Sequence, residues 1–352
     1  MEDFKYMNIL VLAAGTSTER EVSISSGRMV CKALRQKGHN AILADVFFGL
    51  QNISDFKDTK VDYNVDEKAD EIALWSTKVK ERLQSGAGLI GPNILETAKK
   101  ADIVFLALHG SNGEDGRIQA MLDLFNIKYT GAGYLGSAMA MNKAVAKIAV
   151  KEGNVPVIHG VSFSKNDKEA DKTLEELGFE GTVIVKPTCG GSSVGVSKVE
   201  NEEAYKKALQ EAFDLEDTVV VEQFIDAREF SIGVFNDLAL PVIEIVVEKD
   251  SFYDYENKYN GKTKEVCPAP LEETIAKQMQ AYAVKAAKAL QLEAYCRIDF
   301  LLDKNNQIYF MEANTLPGMT PTSLLPQEAA QIGYDFPSLC DKLVELSLKK
   351  YS

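Results

Sequence analysis

NILVLAAGTSTEREVSISSGRMVCKALRQKGHNAILADVFF, residues 8–48, reads as strand, helix, strand. Asn8–Ala14 is a short apolar run ending at Gly15. A helical pattern follows, with Val22, Met29, Val30, Ala33 and Leu34 on one face and Gly38 as its stop. Ile42–Phe48 is a second apolar run. This alternation predicts an α/β protein whose N-terminal domain is a doubly wound parallel sheet.

Outward from this stretch, residues 50–100 are charged and carry no motif, apart from a helical pattern at Leu74–Leu83. Ala101–Leu108 is a buried strand that runs into the loop HGSNGEDG and a helix Arg117–Phe125. A long helix is expected over Ser137–Glu152, stopped by Gly153. Strand patterns at Thr182–Lys186, Val194–Val199 and Thr218–Phe224, with a helix Glu202–Phe213 between the last two, indicate a second, α+β unit. The last third holds apolar runs at Phe230–Phe235 and Pro241–Val247, a helix Leu271–Leu290 and a hairpin around Asp303–Asn306. Its polar, aromatic segment Ser251–Lys264 reads as a lid.

The 352 residues suit two to three domains at about 150 each. The net charge of −13 disfavours a nucleic-acid or anionic-membrane binder, since both need a basic face. No apolar run is long enough to span a bilayer, and the acidic start does not read as a signal peptide. Five cysteines without a CxxC argue against a disulfide framework and for a cytoplasmic location.

The strongest chemical signal is the hairpin YCRIDFLLDKNNQIYFMEANTLPGMT. A loop at Asp303–Asn306 sets Arg297 opposite Glu312 and Asp299 opposite Phe310. By the period of two, Arg297, Asp299, Glu312 and Asn314 share one face. Three oxygen-bearing side chains beside an arginine suit Mg²⁺, which takes hard oxygen ligands and leaves room for phosphates. Ile298, Phe300 and Ile308 are read as the core face.

A second signal is IVKPTCGGSSVGVSKV, where a strand delivers Lys186 to a loop of Gly190, Gly191, Ser192, Ser193 and Gly195. Small residues let backbone N–H groups approach phosphate oxygens, and Lys186 adds charge. The chain has no P-loop. Gly131, Gly133 and Gly136 fit a dinucleotide fingerprint, but the acid that should end the next strand, Glu152, ends a helix instead. No NAD site is expected there. Thr18 and Glu21 have capping-box spacing, which accounts for Glu21 more readily than for Glu19. His109 reads first as a hydrogen-bonded structural residue, and Lys143 and Lys147, one helical turn apart, as surface lysines.

Together these pieces resemble the D-alanine–D-alanine ligase family of the ATP-grasp superfamily. The likeness runs from GTSTEREVS through LHGSNGEDGRIQAML, IKYTGAG, SAMAMNK, VIVKP, GGSSVGVSKV, FYDYENKY, CRIDF and MEANTLPGMT to SLLP; only residues 50–100 find no anchor in it. It implies a two-part ATP-grasp α+β module after the N-terminal domain, with boundaries at 1–135, 136–222 and 223–352. It assigns Lys143, Lys186 and Lys258 to the ATP phosphates, and Glu222, Gln223, Phe224, Ile225 and Glu229 to the adenine and ribose wall. Asp299, Glu312 and Asn314 become ligands of Mg²⁺ or Mn²⁺, while Arg297 and the Gly318 backbone face the tetrahedral intermediate. Glu19 pairs with the first D-alanine's ammonium, joined by Ser192 and Tyr259 in a network that closes the lid. His109 stands near the first substrate, and Ser323 and Leu324 hold the second substrate's carboxylate.

Two departures from the family pattern stand out: Asn142 where the family usually has Asp, and Ala14-Gly15 where two glycines are commoner. The implied activity is ligation of two D-alanines through an acyl phosphate, supplying peptidoglycan precursors. D-alanine–D-lactate or D-alanine–D-serine ligation and a catalytically inactive ATP-binding regulatory protein are the rivals. In the family, a Tyr at position 259 goes with D-alanine as second substrate. The implied partners are small molecules and a second copy in a homodimer.

Overall fold

The computed structural model describes residues 6–50, 56–59, 63–191, 194–246 and 264–352. Strands β1 (Asn8–Ala13), β2 (Asn40–Asp45) and β3 (Ile103–Leu106) form a parallel sheet in the order β2-β1-β3. Side chains of β1 alternate between two cores. Ile9, Val11 and Ala13 pack with the helices Arg20–Gln36 and Phe336–Leu348, and Leu10 and Leu12 pack with Ile118 and Leu122 of the helix Arg117–Leu124. Burial on both faces is why this strand reads as an unbroken apolar run. Gly27 lets the helix Arg20–Gln36 lie close, because a Cβ there would stand 2.5 Å from the Cβ of Ala13.

Two antiparallel sheets follow. Strands β4 (Gly160–Ser164), β5 (Val183–Pro187), β6 (Ser197–Val199) and β7 (Thr218–Gln223) lie in the order β4-β7-β5-β6, covered by Tyr205 and Leu209 of the helix Glu202–Phe213. The last sheet contains β8 (Ala227–Phe235), β9 (Leu238–Ala239), β10 (Ile243–Val246), β11 (Lys264–Val266), β12 (Tyr295–Asp303) and β13 (Ile308–Asn314). Its order is β11-β10-β8-β12-β13, with β9 paired to β8. Met279, Ala283 and Ala286 of the helix Glu273–Ala289, and Ala146 and Val150 of the helix Lys143–Glu152, fill the core beneath it. The architecture is the expected α/β one, a parallel sheet followed by two antiparallel α+β parts.

Several local expectations need correction. The single helix over Ser137–Glu152 is two, Tyr134–Met141 and Lys143–Glu152. Asn142 breaks it with extended backbone (φ −86°, ψ 103°), and its Oδ1 accepts the N–H groups of Ala144 and Val145, each at 3.1 Å. Asn and Asp are equally good N-caps, so Asn142 keeps the capping bond and loses only the charge. The Thr18–Glu21 capping box does not form: Glu19 takes the N-cap position, and Glu21 accepts a hydrogen bond from Ser76 Oγ at 2.6 Å. β2 ends at Asp45, whose Oδ1 turns the chain by accepting the N–H groups of Phe47 and Phe48. The pattern at Leu74–Leu83 splits into a tight turn, Trp75–Lys78, and a helix, Val79–Gln84. The strand expected at Val194–Val199 shortens to Ser197–Val199, because Gly195 turns with φ +73°. Ala14 has φ +66°, a conformation that costs a non-glycine residue roughly 1 kcal/mol. The departure at Ala14 is therefore conformational as well as steric.

Candidate functional site

The final hairpin carries the first half of the site. Its register is not the one expected: Asp299 pairs with Glu312 and Arg297 with Asn314, while Phe300 pairs with Phe310. One step along β12 matches two along β13, so Met311 is a bulge. The bulge turns the alternation over. Ile308 and Phe310 enter the core, Phe310 edge-on to Phe300, yet Glu312 and Asn314 share the opposite face with Arg297 and Asp299. A regular strand would put all four even-numbered residues on one side.

Asp299 is 2% exposed. It accepts two bonds from Arg297 (3.0 and 2.8 Å), one from Ser231 Oγ (2.6 Å) and one from Asn314 Nδ2 (2.8 Å). Among the described residues no three His, Cys, Asp or Glu side chains cluster as a metal site. The donor set here is two carboxylates and the amide oxygen of Asn314, all hard oxygens, and it fits Mg²⁺.

Facing this surface is a cluster of lysines. Lys186, on β5, places its Nζ 2.9 Å from Glu222 Oε2, and Lys147 donates to Glu222 Oε1. Lys143 donates to the Gly190 carbonyl and lies 3.8 Å from Glu312. Burial works against a charged Glu222, but Lys186 and Lys147 outweigh it and hold its carboxyl at about 2. Burial lowers Lys147 to about 8; Glu222 resists the shift, and Lys186 and Lys143 add to it. The surface position expected for Lys143 and Lys147 is corrected, since both sit in the interior of the site, on the inward face of a helix whose start Asn142 sets.

The N-terminal domain closes a third side. Glu19 Oε2 lies against two glycine loops: a Cβ on Gly110 would stand 2.9 Å from it, and one on Gly191 3.7 Å. His109 is buried between Ser26 Oγ (2.8 Å) and the Leu316 carbonyl (2.9 Å). Nδ1–H must donate to that carbonyl, so in the neutral ring Nε2 accepts the Ser26 hydroxyl. Burial keeps the ring's pKa low, although the charge of Glu19 acts the other way. Ser26 Oγ also accepts the Met319 N–H at 3.2 Å, so His109 and Ser26 together pin the loop bearing Gly318. A Cβ on Gly318 would come within 3.0 Å of Ser323 Oγ, which bonds Thr320. The Leu324 side chain is buried against Ile243 and Ile245.

Glu222 and Gln223 end β7, and Glu229 lies on β8, at the junction of the last two sheets. Gln223 Nε2 donates to the carbonyls of Glu180 and Thr182, and Lys198 Nζ stands 4.2 Å from the Phe224 ring centroid. Ser192, Lys258, Tyr259 and most of the lid segment lie outside the described residues. The glycines of the dinucleotide-like stretch serve packing. Gly131 N–H donates to Ser347 Oγ, its carbonyl accepts from Lys350, and a Cβ on Gly136 would meet the Gln291 carbonyl at 2.6 Å.

Sequence reasoning passed over three residues that hold the site. Ser231 fixes Asp299, and its only signal is its place one strand away. Arg20, 6% exposed, pairs with Asp45 and also donates to Gly15 O (2.6 Å), Ser76 Oγ (3.0 Å) and Ile72 O (3.2 Å). It ties the Glu19 loop to residues 72–76, inside the stretch that carries no motif. Glu114 accepts the N–H groups of Gly110 (2.7 Å) and Leu316 (3.2 Å), joining the loop after β3 to the loop after β13.

Burial, reinforced by Glu19, raises Glu114 from 4.5 to about 8 against those two donors and Arg297. Between these values the folded chain keeps a proton that the unfolded chain has lost. Stability therefore falls with rising pH, by at most about 1.4 kcal/mol per unit. Glu114→Gln is expected to flatten that slope in denaturant melts from about pH 5 to about pH 8. Identical slopes in parent and variant would assign the proton elsewhere.

Comparison with known proteins identifies the family. The family model described as D-ala D-ala ligase N-terminus matches residues 8–132, and the one described as D-ala D-ala ligase C-terminus matches residues 148–345. A D-alanine–D-alanine ligase of Pediococcus pentosaceus is 42% identical over 98% of this chain and 99% of its own length. One of Desulfotalea psychrophila is 39% identical over 98% of this chain and 96% of its own. Among solved structures, the D-alanine–D-alanine ligase of Coxiella burnetii superposes with a TM-score of 0.78 at 26% identity, covering 98% of this chain and 95% of that one. That of Bacillus anthracis, complexed with ATP, gives 0.73 at 26% identity, covering 98% of both chains. Both terminal family models and whole-length relatives coincide, and the chain belongs to the D-alanine–D-alanine ligase family.

Proposed function

We propose that the chain joins two D-alanine molecules to D-alanyl-D-alanine, with conversion of ATP to ADP and phosphate, for peptidoglycan precursor synthesis. The observation that carries this reading is the approach of Lys143 to Glu312 at 3.8 Å, which sets the lysine cluster against the carboxylate face. Phosphate-binding and metal-binding groups then meet beside Glu19. Mg²⁺ held by Asp299, Glu312 and Asn314 would neutralise phosphate charge. Lys143, Lys186 and Lys258 bind the phosphates, and Glu222–Ile225 with Glu229 receive adenine and ribose.

Glu19 orients the first D-alanine by its ammonium. That substrate's carboxylate oxygen attacks the γ-phosphorus, and the bond to ADP breaks. The second D-alanine, held at Ser323 and Leu324, attacks the acyl carbon with its amine, which loses a proton as phosphate departs. Arg297 and the Gly318 N–H stabilise the oxyanion between these events. Ser192 and Tyr259 close the site against water. The units 1–135, 136–222 and 223–352, a homodimer and a cytoplasmic location complete the proposal. Among the described residues no helix is long and apolar enough to cross a membrane.

The test is product analysis with ATP, Mg²⁺ and D-alanine, D-serine and D-lactate in competition. D-alanyl-D-alanine, ADP and phosphate in equal amounts are expected. ADP release without D-alanine, or a depsipeptide as main product, would overturn the assignment.

A further inference from the structure

We infer that Lys147 is a positioning residue of the nucleotide site, neutralising Glu222 so that the Lys186 ammonium remains available to a phosphate group. This rests on the ATP reading above. Each oxygen of Glu222 has its own lysine, Lys147 on Oε1 and Lys186 on Oε2, and the carboxylate side chain is 3% exposed. With Lys186 alone, the two would form a closed, neutral pair. Moving that ammonium to a phosphate would strand a buried carboxylate, a costly state. Lys147 removes the obstacle because Glu222 keeps a partner when Lys186 turns away.

The charge count agrees. Among the described residues, Lys143, Lys147 and Lys186 face Glu222 and Glu312, which leaves one positive charge in excess. Lys147 is held in place by local structure. It lies one turn after Lys143 on the helix that Asn142 caps, so both ammoniums leave the same face. Lys186 and Glu222 are diagonal neighbours across β5 and β7, where Ile184 pairs with Glu222 and Lys186 with Val220.

The experiment compares Lys147→Gln, which keeps a donor without the charge, with Lys147→Arg, which keeps the charge. Full-length proteins are titrated with adenosine, ADP and a non-hydrolysable ATP analogue, and steady-state kinetics are run alongside. Lys147→Gln is expected to weaken the ATP analogue by about tenfold and adenosine by less than about twofold. The KM for ATP rises accordingly, the KM for D-alanine and kcat change little, and Lys147→Arg restores most of the loss. Equal weakening of adenosine and the ATP analogue would overturn the inference, since Lys147 would then only shape the base pocket. So would an unchanged ATP affinity in Lys147→Gln. Failure of the parent to bind the ATP analogue would instead overturn the nucleotide reading itself.

Discussion

Glu312→Gln is expected to lower turnover by at least about a hundredfold while leaving the fold intact. Gln keeps the volume and one acceptor, so packing on β13 is unaffected, but the charge shared with Lys143 is gone. The residue sits just beyond the Met311 bulge, on the face with Asp299 and Asn314 rather than in the core. Losing a carboxylate there removes one of the two charged oxygen donors that suit a divalent ion. Steady-state rates at low millimolar Mg²⁺, with a thermal melt as control, check this. Near-normal turnover in a properly folded variant would refute the metal assignment.

Arg297→Met is expected to act on stability and rate together. Among the described residues, Arg297 supplies two of the four hydrogen bonds that Asp299 accepts, and both side chains are nearly buried. Without it, the donors left to Asp299 among the described residues are the neutral Ser231 and Asn314. Leaving one member of such a pair unmatched costs about 3–5 kcal/mol. In the proposed mechanism the oxyanion would also lose its cation, an expected loss of about 10²–10³ in kcat. Arg297→Lys returns the charge without the two-pronged geometry and is expected to recover only part of either loss. Denaturant midpoints and kcat measured on the same preparations decide the matter. An unshifted midpoint in Arg297→Met would mean that Asp299 does not depend on this ion pair.

Much of this was legible in the residues. From Ile9 onward β1, like β3, is apolar because helices cover both faces of their sheet, and that pattern is legible in residues 8–14 and 101–108. The helix Glu202–Phe213 was found at its observed bounds because Asn201 caps it and its apolar side is regular. Asn142 was harder. It lies between alanine-rich turns of good helical propensity, and its capping bonds depend on an extended backbone that no periodicity announces.

The carboxylate face shows the division most clearly. The chain's residue types by themselves determined that a hairpin would carry Arg297, Asp299, Glu312 and Asn314. They also determined that glycine loops would follow Lys186 and His109, because turns, strands and caps are local properties of φ and ψ. Only the tertiary structure decided that Met311 bulges, since burying Ile308 and Phe310 against the helices Glu273–Ala289 and Lys143–Glu152 is a long-range gain. Only it decided that Lys147 is no surface residue. A lysine on an exposed helix and one turned toward a carboxylate on another sheet have the same local sequence. The difference lies in the partner, Glu222, which is 75 residues away along the chain.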